Sequence, residues 1–151
     1  MKVRKASHCS YRIRYHMVFV VKYRADLITD EVFDFMKEVC LEISKRYYLW
    51  FDALGHEGDH IHIVIESAPK NSPSKIMQIC KSILAIQVFK KFPDLKVELW
   101  GGELWSDGGH IDTVGDGRGL DDVKRYVANQ GRKLDQLKLF EFDNTPQLAA
   151  K

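Results

Sequence analysis

The chain has 151 residues, 45% hydrophobic and 29% charged, which suits one domain around one core and excludes intrinsic disorder over most of its length. A net charge of +2 says little about partners. The longest apolar runs, such as residues 17–21, are too short to span a bilayer, and no apolar leader core follows the basic start Met1-Lys2-Val3-Arg4-Lys5, so a soluble, cytoplasmic protein is expected.

Residues 1–24 carry Lys2, Arg4, Lys5, Arg12, Arg14, Lys22 and Arg24 with no acid among them. Such a stretch can contact phosphate, or can equally be a solvated terminus and strand edge. Cys9, Cys40 and Cys80 are odd in number and widely spaced, with no CxxC pair, which argues against a disulfide framework or a cysteine zinc site. Cys40 and Cys80 fall at apolar helical positions and read as small core residues.

Residues 11–23 predict a strand in which Ile13, Tyr15, Met17, Phe19 and Val21 share one face, and Arg12, Arg14 and His16 the other. Thr29 caps a helix at 29–46, with Asp30 and Glu31 in its first turn and Val32, Phe35, Met36, Val39, Cys40 and Ile43 on its apolar face. Residues 48–56 and 60–67 read as strands joined by the tight turn Glu57-Gly58-Asp59. Ser72 caps a second helix, with Pro73 in its first turn, Ile76, Cys80, Ile83 and Leu84 buried, and Pro93 at its end. Residues 97–100 and 104–114 predict a bent fourth strand interrupted by glycines. Gly115 to Gly119 form a loop, and a short helix follows at about 120–130 with Gly131 as its C-cap. The order strand, helix, strand, strand, helix, strand gives an α+β fold class: a ferredoxin-like βαββαβ antiparallel sheet with both long helices on one face, plus an extra C-terminal helix. The whole chain, 1–151, reads as one domain with a core at about 10–131 and a tail at 132–151.

His60-Ile61-His62 is the sharpest local feature. Side chains two apart on a strand share a face, with Cα atoms roughly 6.5–7 Å apart, so two imidazoles can converge on one cation. Ile61, Ile63 and Ile65 point into the core, which leaves His60, His62 and Glu66 to look out from the open face. The plain alternative is two surface histidines on a half-exposed sheet. A second feature is Arg125-Tyr126-Val127-Ala128-Asn129-Gln130. Tyr126 and Gln130 are four apart on the predicted helix and share a face; a tyrosine at helical spacing is also a common core residue.

Taken together, the His60-Ile61-His62 strand, the ferredoxin-like order and the C-terminal helix bearing Tyr126 and Gln130 resemble the single-tyrosine HUH transposases of insertion sequences that move as single-stranded DNA, a superfamily that includes the REP-associated transposases. The resemblance spans about residues 10–131. It implies His60, His62 and Gln130 as ligands of Mg²⁺ or Mn²⁺, and Tyr126 as the nucleophile that forms a 5′-phosphotyrosine. It implies an obligate homodimer in which the tyrosine helix acts on the partner's histidines, and single-stranded DNA with hairpins at the element ends as substrate. The segment from Trp105 to His110 departs from the family in its glycines, so the fourth strand and its DNA contacts are the weakest part of the match.

The chemistry suits these residue types. A cation on the phosphate oxygens neutralises charge as the transition state forms, and a mixed imidazole–amide set fits Mg²⁺ or Mn²⁺ better than a structural zinc. A phenol with a reference pKa of about 10 needs help to ionise. Arg12 and Arg14 on the first strand, and Lys124 and Arg125 beside Tyr126, are candidate DNA contacts, with a solvated surface as the bland reading. His16, His56 and His110 are possible auxiliaries or ordinary structural histidines. Other readings are a non-transposing HUH single-strand nuclease (domesticated or of the replication type), a catalytically inactive nucleic-acid-binding ferredoxin-like module, and a metal-dependent hydrolase of small molecules.

Overall fold

The computed structural model describes residues 2–115 and the backbone of residues 138–141. A small hairpin, β1 (Arg4–Lys5) and β2 (Ser10–Tyr11), precedes the main body. The body holds strand β3 (Arg14–Val20), helix α1 (Asp30–Tyr47), strands β4 (Leu49–Glu57) and β5 (His60–Ser67), helices α2 (Pro73–Lys91) and α3 (Pro93–Glu98), and strands β6 (His110–Thr113) and β7 (Lys138–Glu141). The last five strands lie in the order β6-β3-β5-β4-β7, all antiparallel. With β3 and β5 central and β6 and β4 outside them, this is the ferredoxin-like arrangement, with β7 added to the edge at β4.

Register decides which side chains meet. Met17, Phe19, Ile61, Ile63 and Ile65 are fully buried on the helix-covered face, and each contributes roughly 1.5–3 kcal/mol by leaving water. From α1, Val32, Phe33, Met36, Val39, Cys40 and Ile43 face that core; from α2, Ile76, Cys80, Leu84 and Val88 do so at a spacing of four. Thr29 caps α1 by accepting a hydrogen bond from the Val32 N–H, and Ser72 caps α2 through that of Lys75. Cys40 and Cys80 are free thiols in the core, and burial pushes the Cys80 thiol up to about 12.

Two expectations need correction. Residues 97–100 are not extended: Pro93 at the first position and Asp94 in the first turn start α3, and of the predicted fourth strand His110–Thr113 joins the sheet while Trp105 makes an isolated antiparallel bridge to Val21. The first strand stops at Val20, because residues 22–24 turn into a short 3₁₀ segment. Lys138–Glu141, within the segment read as a C-terminal tail, pairs with residues 53–56 of β4. The helix expected at 120–130, with Lys124, Arg125, Tyr126 and Gln130, lies outside the described residues. Among the described residues no helix is long and apolar enough to cross a membrane.

The β4–β5 turn is docked on the segment after β3. The Gly58 carbonyl accepts from the Ile28 N–H, and the Asp59 carbonyl from the Val21 N–H. Gly58 has φ +35°, and a Cβ there would collide with Asp26 Oδ1. Asp26 is exposed and can swing aside, but the backbone strain stays. Gly58→Ala is therefore expected to lower unfolding free energy by about 1–2 kcal/mol, read as a reduced denaturant midpoint at unchanged slope.

Candidate active site

The face away from the helices carries the polar chemistry. Antiparallel register sets Val18 opposite both His62 and His110, His16 opposite Val64 and Asp112, and Arg14 opposite Glu66. Directly opposed residues share a face, so His60, His62, His16 and His110 all belong to this one. His60 and His62 were expected at an accessible surface; instead they are 3% and 2% exposed, and His16 is 4% exposed.

The imidazoles form a connected line. His60 Nδ1 lies 2.6 Å from Asp59 Oδ1, His60 Nε2 lies 3.0 Å from His62 Nε2, and His62 Nδ1 lies 3.0 Å from His16 Nε2. The His16 and His62 rings stack at 5.3 Å with 5° between their planes. Because a carboxylate only accepts, neutral His60 carries its proton on Nδ1 and directs the Nε2 lone pair at His62. His62 then has two settings. It can donate Nε2–H to His60 while accepting from His16. Alternatively it donates Nδ1–H to His16, and two Nε2 lone pairs face a common point.

The electrostatics suit the second setting, the one that could receive a cation. Burial, with a smaller push from His110, lowers the His16 pKa to about 4 against the opposing charge of Asp112, so His16 is neutral and able to accept. Burial alone would raise the Asp59 carboxyl, but its hydrogen bonds and charge interactions with His60 and Arg24 outweigh that and lower it. Asp59 thus holds His60 in one tautomer, as a carboxylate commonly does for a histidine that could bind a metal. Glu57 Oε2, 3.8 Å from His60 Nε2, adds negative charge beside the pair.

The donor set passes a simple geometric test. Two ligands about 2.1 Å from an octahedral ion and at right angles stand about 3 Å apart, and the two Nε2 atoms are 3.0 Å apart. Among the described residues no group of three or more His, Cys, Asp or Glu is set to hold a metal, so the two histidines need a further donor.

Glu66 does not join them. It is buried between Arg4 Nε at 2.6 Å and Arg14 Nη2 at 3.4 Å, while Arg14 Nε lies 2.6 Å from Asp52 Oδ2. Arg14, expected on DNA, is thus engaged by two carboxylates, and Arg4 also covers the Trp50 ring at 3.9 Å. Arg12 is exposed. His56 is on the opposite face, buried against Phe33, with Asp30 Oδ1 3.3 Å from its Nε2. His110 is half exposed and bonded to Asp112 at 2.6 Å. Sequence reasoning passed over Asp59 and left the role of His16 open. The signals were Asp59 immediately before the motif and His16 on the outward face of the neighbouring strand. A surface cavity of about 580 Å³, lined by Lys81, Phe89 and Trp105 among others, does not include these histidines.

Residues 9–130 match the family model described as "Transposase IS200 like". The chain is 27% identical over 133 residues to ISDra2 transposase TnpA of Deinococcus radiodurans, covering 88% of this chain and 94% of that one. It is 28% identical over 128 residues to the transposase for insertion sequence element IS200 of Salmonella typhimurium, covering 82% and 80%. A crystal structure from Deinococcus radiodurans, assigned as a transposase, superposes with a TM-score of 0.70 at 28% identity over 84% of this chain and 97% of that one. The structure of a REP-associated tyrosine transposase bound to a REP hairpin superposes at a TM-score of 0.50 and 11% identity, over 84% and 68%, a likeness of fold.

Proposed function

The chain belongs to the IS200-like transposase family, and from that premise we propose that this DNA transposase cleaves and rejoins single-stranded DNA through a covalent tyrosine intermediate, assisted by Mg²⁺ or Mn²⁺. The observation that carries the reading is the pair of buried Nε2 atoms of His60 and His62, 3.0 Å apart, with the outer nitrogens tied to Asp59 and His16. His60 and His62 hold the cation together with Gln130, and its charge eases attack on an anionic phosphodiester.

Tyr126 supplies the nucleophile. Its oxygen forms a bond to phosphorus and loses its proton, the bond from phosphorus to the 3′ oxygen breaks, and that oxygen takes up a proton as the free 3′-OH. The 5′-phosphotyrosine conserves the linkage energy, so rejoining needs no nucleotide triphosphate. Arg12, Lys124 and Arg125 are the proposed phosphate contacts; Arg14 serves the fold. The proposal includes a homodimer with the tyrosine helix acting in trans, hairpin-bearing single strands as substrate (in keeping with the REP hairpin held by the fold relative), and the cytoplasm as the place of action.

The test incubates the protein with 5′- and 3′-labelled single-stranded oligonucleotides covering the DNA that flanks its gene, with Mn²⁺, Mg²⁺ or chelator, followed by a denaturing gel and peptide mapping. A metal-dependent adduct carrying the 5′-phosphate side on Tyr126 is expected. Cleavage with both fragments free would instead define a hydrolytic nuclease, and an adduct formed equally in chelator would remove the cation from the mechanism.

A further inference from the structure

Among the described residues, four that are not glycine have positive φ: Tyr23 at 61°, Arg24 at 50°, Tyr48 at 54° and Trp100 at 53°. Tyr48 is accounted for as the left-handed C-cap of α1, and Trp100 as the left-handed residue that closes α3, its N–H donating to the Val97 carbonyl and the Gly101 N–H to that of Lys96. Tyr23 and Arg24 are left, and Trp100 stands beside them. The Tyr23 and Trp100 rings meet edge to face with centroids 5.2 Å apart, and Arg24 is the next residue in the chain. Residues with a Cβ avoid this backbone region, and strained backbone concentrates at ligand clamps and active sites.

The two turns present aromatic surface to solvent. Tyr23 is 65% exposed and Trp100 80% exposed, although both rings are large and apolar. Their position is tied to the histidine site. Arg24 Nε bonds Asp59 Oδ2 at 3.1 Å, and the other oxygen of that carboxylate bonds His60. One carboxylate therefore joins the segment bearing Tyr23 to the first histidine. Lys22 Nζ lies 5.9 Å from the Tyr23 ring centroid; Lys22 and Arg24 adjoin Tyr23 in the chain, and each is also ion-paired, with Glu103 and Asp59.

We propose that Tyr23 and Trp100 form a stacking platform for an unpaired nucleobase of the DNA strand entering the histidine site. The inference rests on the functional reading above and adds a binding subsite to it. Exposed aromatic faces beside cations suit a single strand, because every base has a π face and every nucleotide a phosphate. An apolar protein partner would be poorly matched to a two-ring surface flanked by Lys22 and Arg24.

Trp100 also reports on the contact. Of the three tryptophans, Trp105 is buried and Trp50 lies beneath Arg4. The experiment titrates the full-length protein with a short oligothymidine, and with an abasic strand of equal length, while following tryptophan emission. Oligothymidine should quench emission and the abasic strand should not. Trp100→Phe should remove most of the quench. Trp100→Ala and Tyr23→Ala should each weaken oligothymidine binding about tenfold while leaving the slope of affinity against salt unchanged, since no phosphate contact is lost. Quenching that persists in Trp100→Phe, or wild-type affinity in both alanine variants, would overturn the platform. Those readouts need no chemistry, so the platform can fail while adduct formation on Tyr126 stands, and the reverse.

Discussion

Replacing His62 with alanine is expected to weaken Mn²⁺ binding by more than about 100-fold and to slow DNA adduct formation by about a thousandfold or more. His62 is the middle of the imidazole line. Its Nε2 faces His60 and its Nδ1 faces His16, each at 3.0 Å. Removing only the group that orients a metal-binding histidine typically costs about 10–100-fold in metal affinity, so loss of the histidine itself takes that range as a floor. Losing several kcal/mol of charge stabilisation at the phosphate gives the rate effect. Asp59→Asn should fall between wild type and His62→Ala, because an amide oxygen can still accept from His60 but without the charge. Calorimetric Mn²⁺ titration and single-turnover adduct formation read the two effects. Wild-type Mn²⁺ affinity in His62→Ala would sink the metal assignment, whatever happened to the rate.

The elements whose pattern is local were legible in the sequence. Both helix N-caps, the tight turn at Gly58 and the alternation of His60 with Ile61 are set by neighbours within a few residues, and the structure keeps them. The misjudged parts depend on distant partners. Whether Val97 to Trp100 extends or coils is decided by Pro93 and by packing of α3 against α2, and the β-prone residues there suggested the wrong state. Lys138 to Glu141 is short enough that its pairing with β4 shows only in three dimensions.

Burial was the least legible property of the site. The alternation placed His60 and His62 on the correct face, but the face was taken as open. A sequence does not show that His16, more than forty residues away, stacks on His62, nor that Asp59 turns back onto His60. The basic N-terminal stretch is a similar case. It could be read equally as a phosphate contact or a solvated edge; in the structure Arg4 and Arg14 are held in a buried carboxylate cluster, while Lys22 and Arg24 form more exposed ion pairs with Glu103 and Asp59.

Arg14 turns that last point into a measurement. It stands between Asp52 and Glu66, with Arg4 beyond, and the four side chains are only 7–15% exposed. A partly buried network with two charges of each sign is balanced as it stands. Arg14→Met takes out one cation, leaving Arg4 to face two carboxylates in a poorly solvated place. Breaking a buried pair in this way costs about 3–5 kcal/mol; the residual exposure here argues for the lower end, about 3 kcal/mol. The double variant Arg14→Met with Asp52→Leu should lose less than the sum of the two single changes, because partners in one network are not additive. Denaturant unfolding of the four proteins gives the coupling directly. The same variants decide what Arg14 does for DNA. As a structural residue it leaves the salt dependence of oligonucleotide binding unchanged once the protein is folded. A phosphate contact would instead lower the slope of log affinity against log salt by about one. Arg12, exposed two residues earlier on the same segment, is the side chain whose replacement should produce that drop.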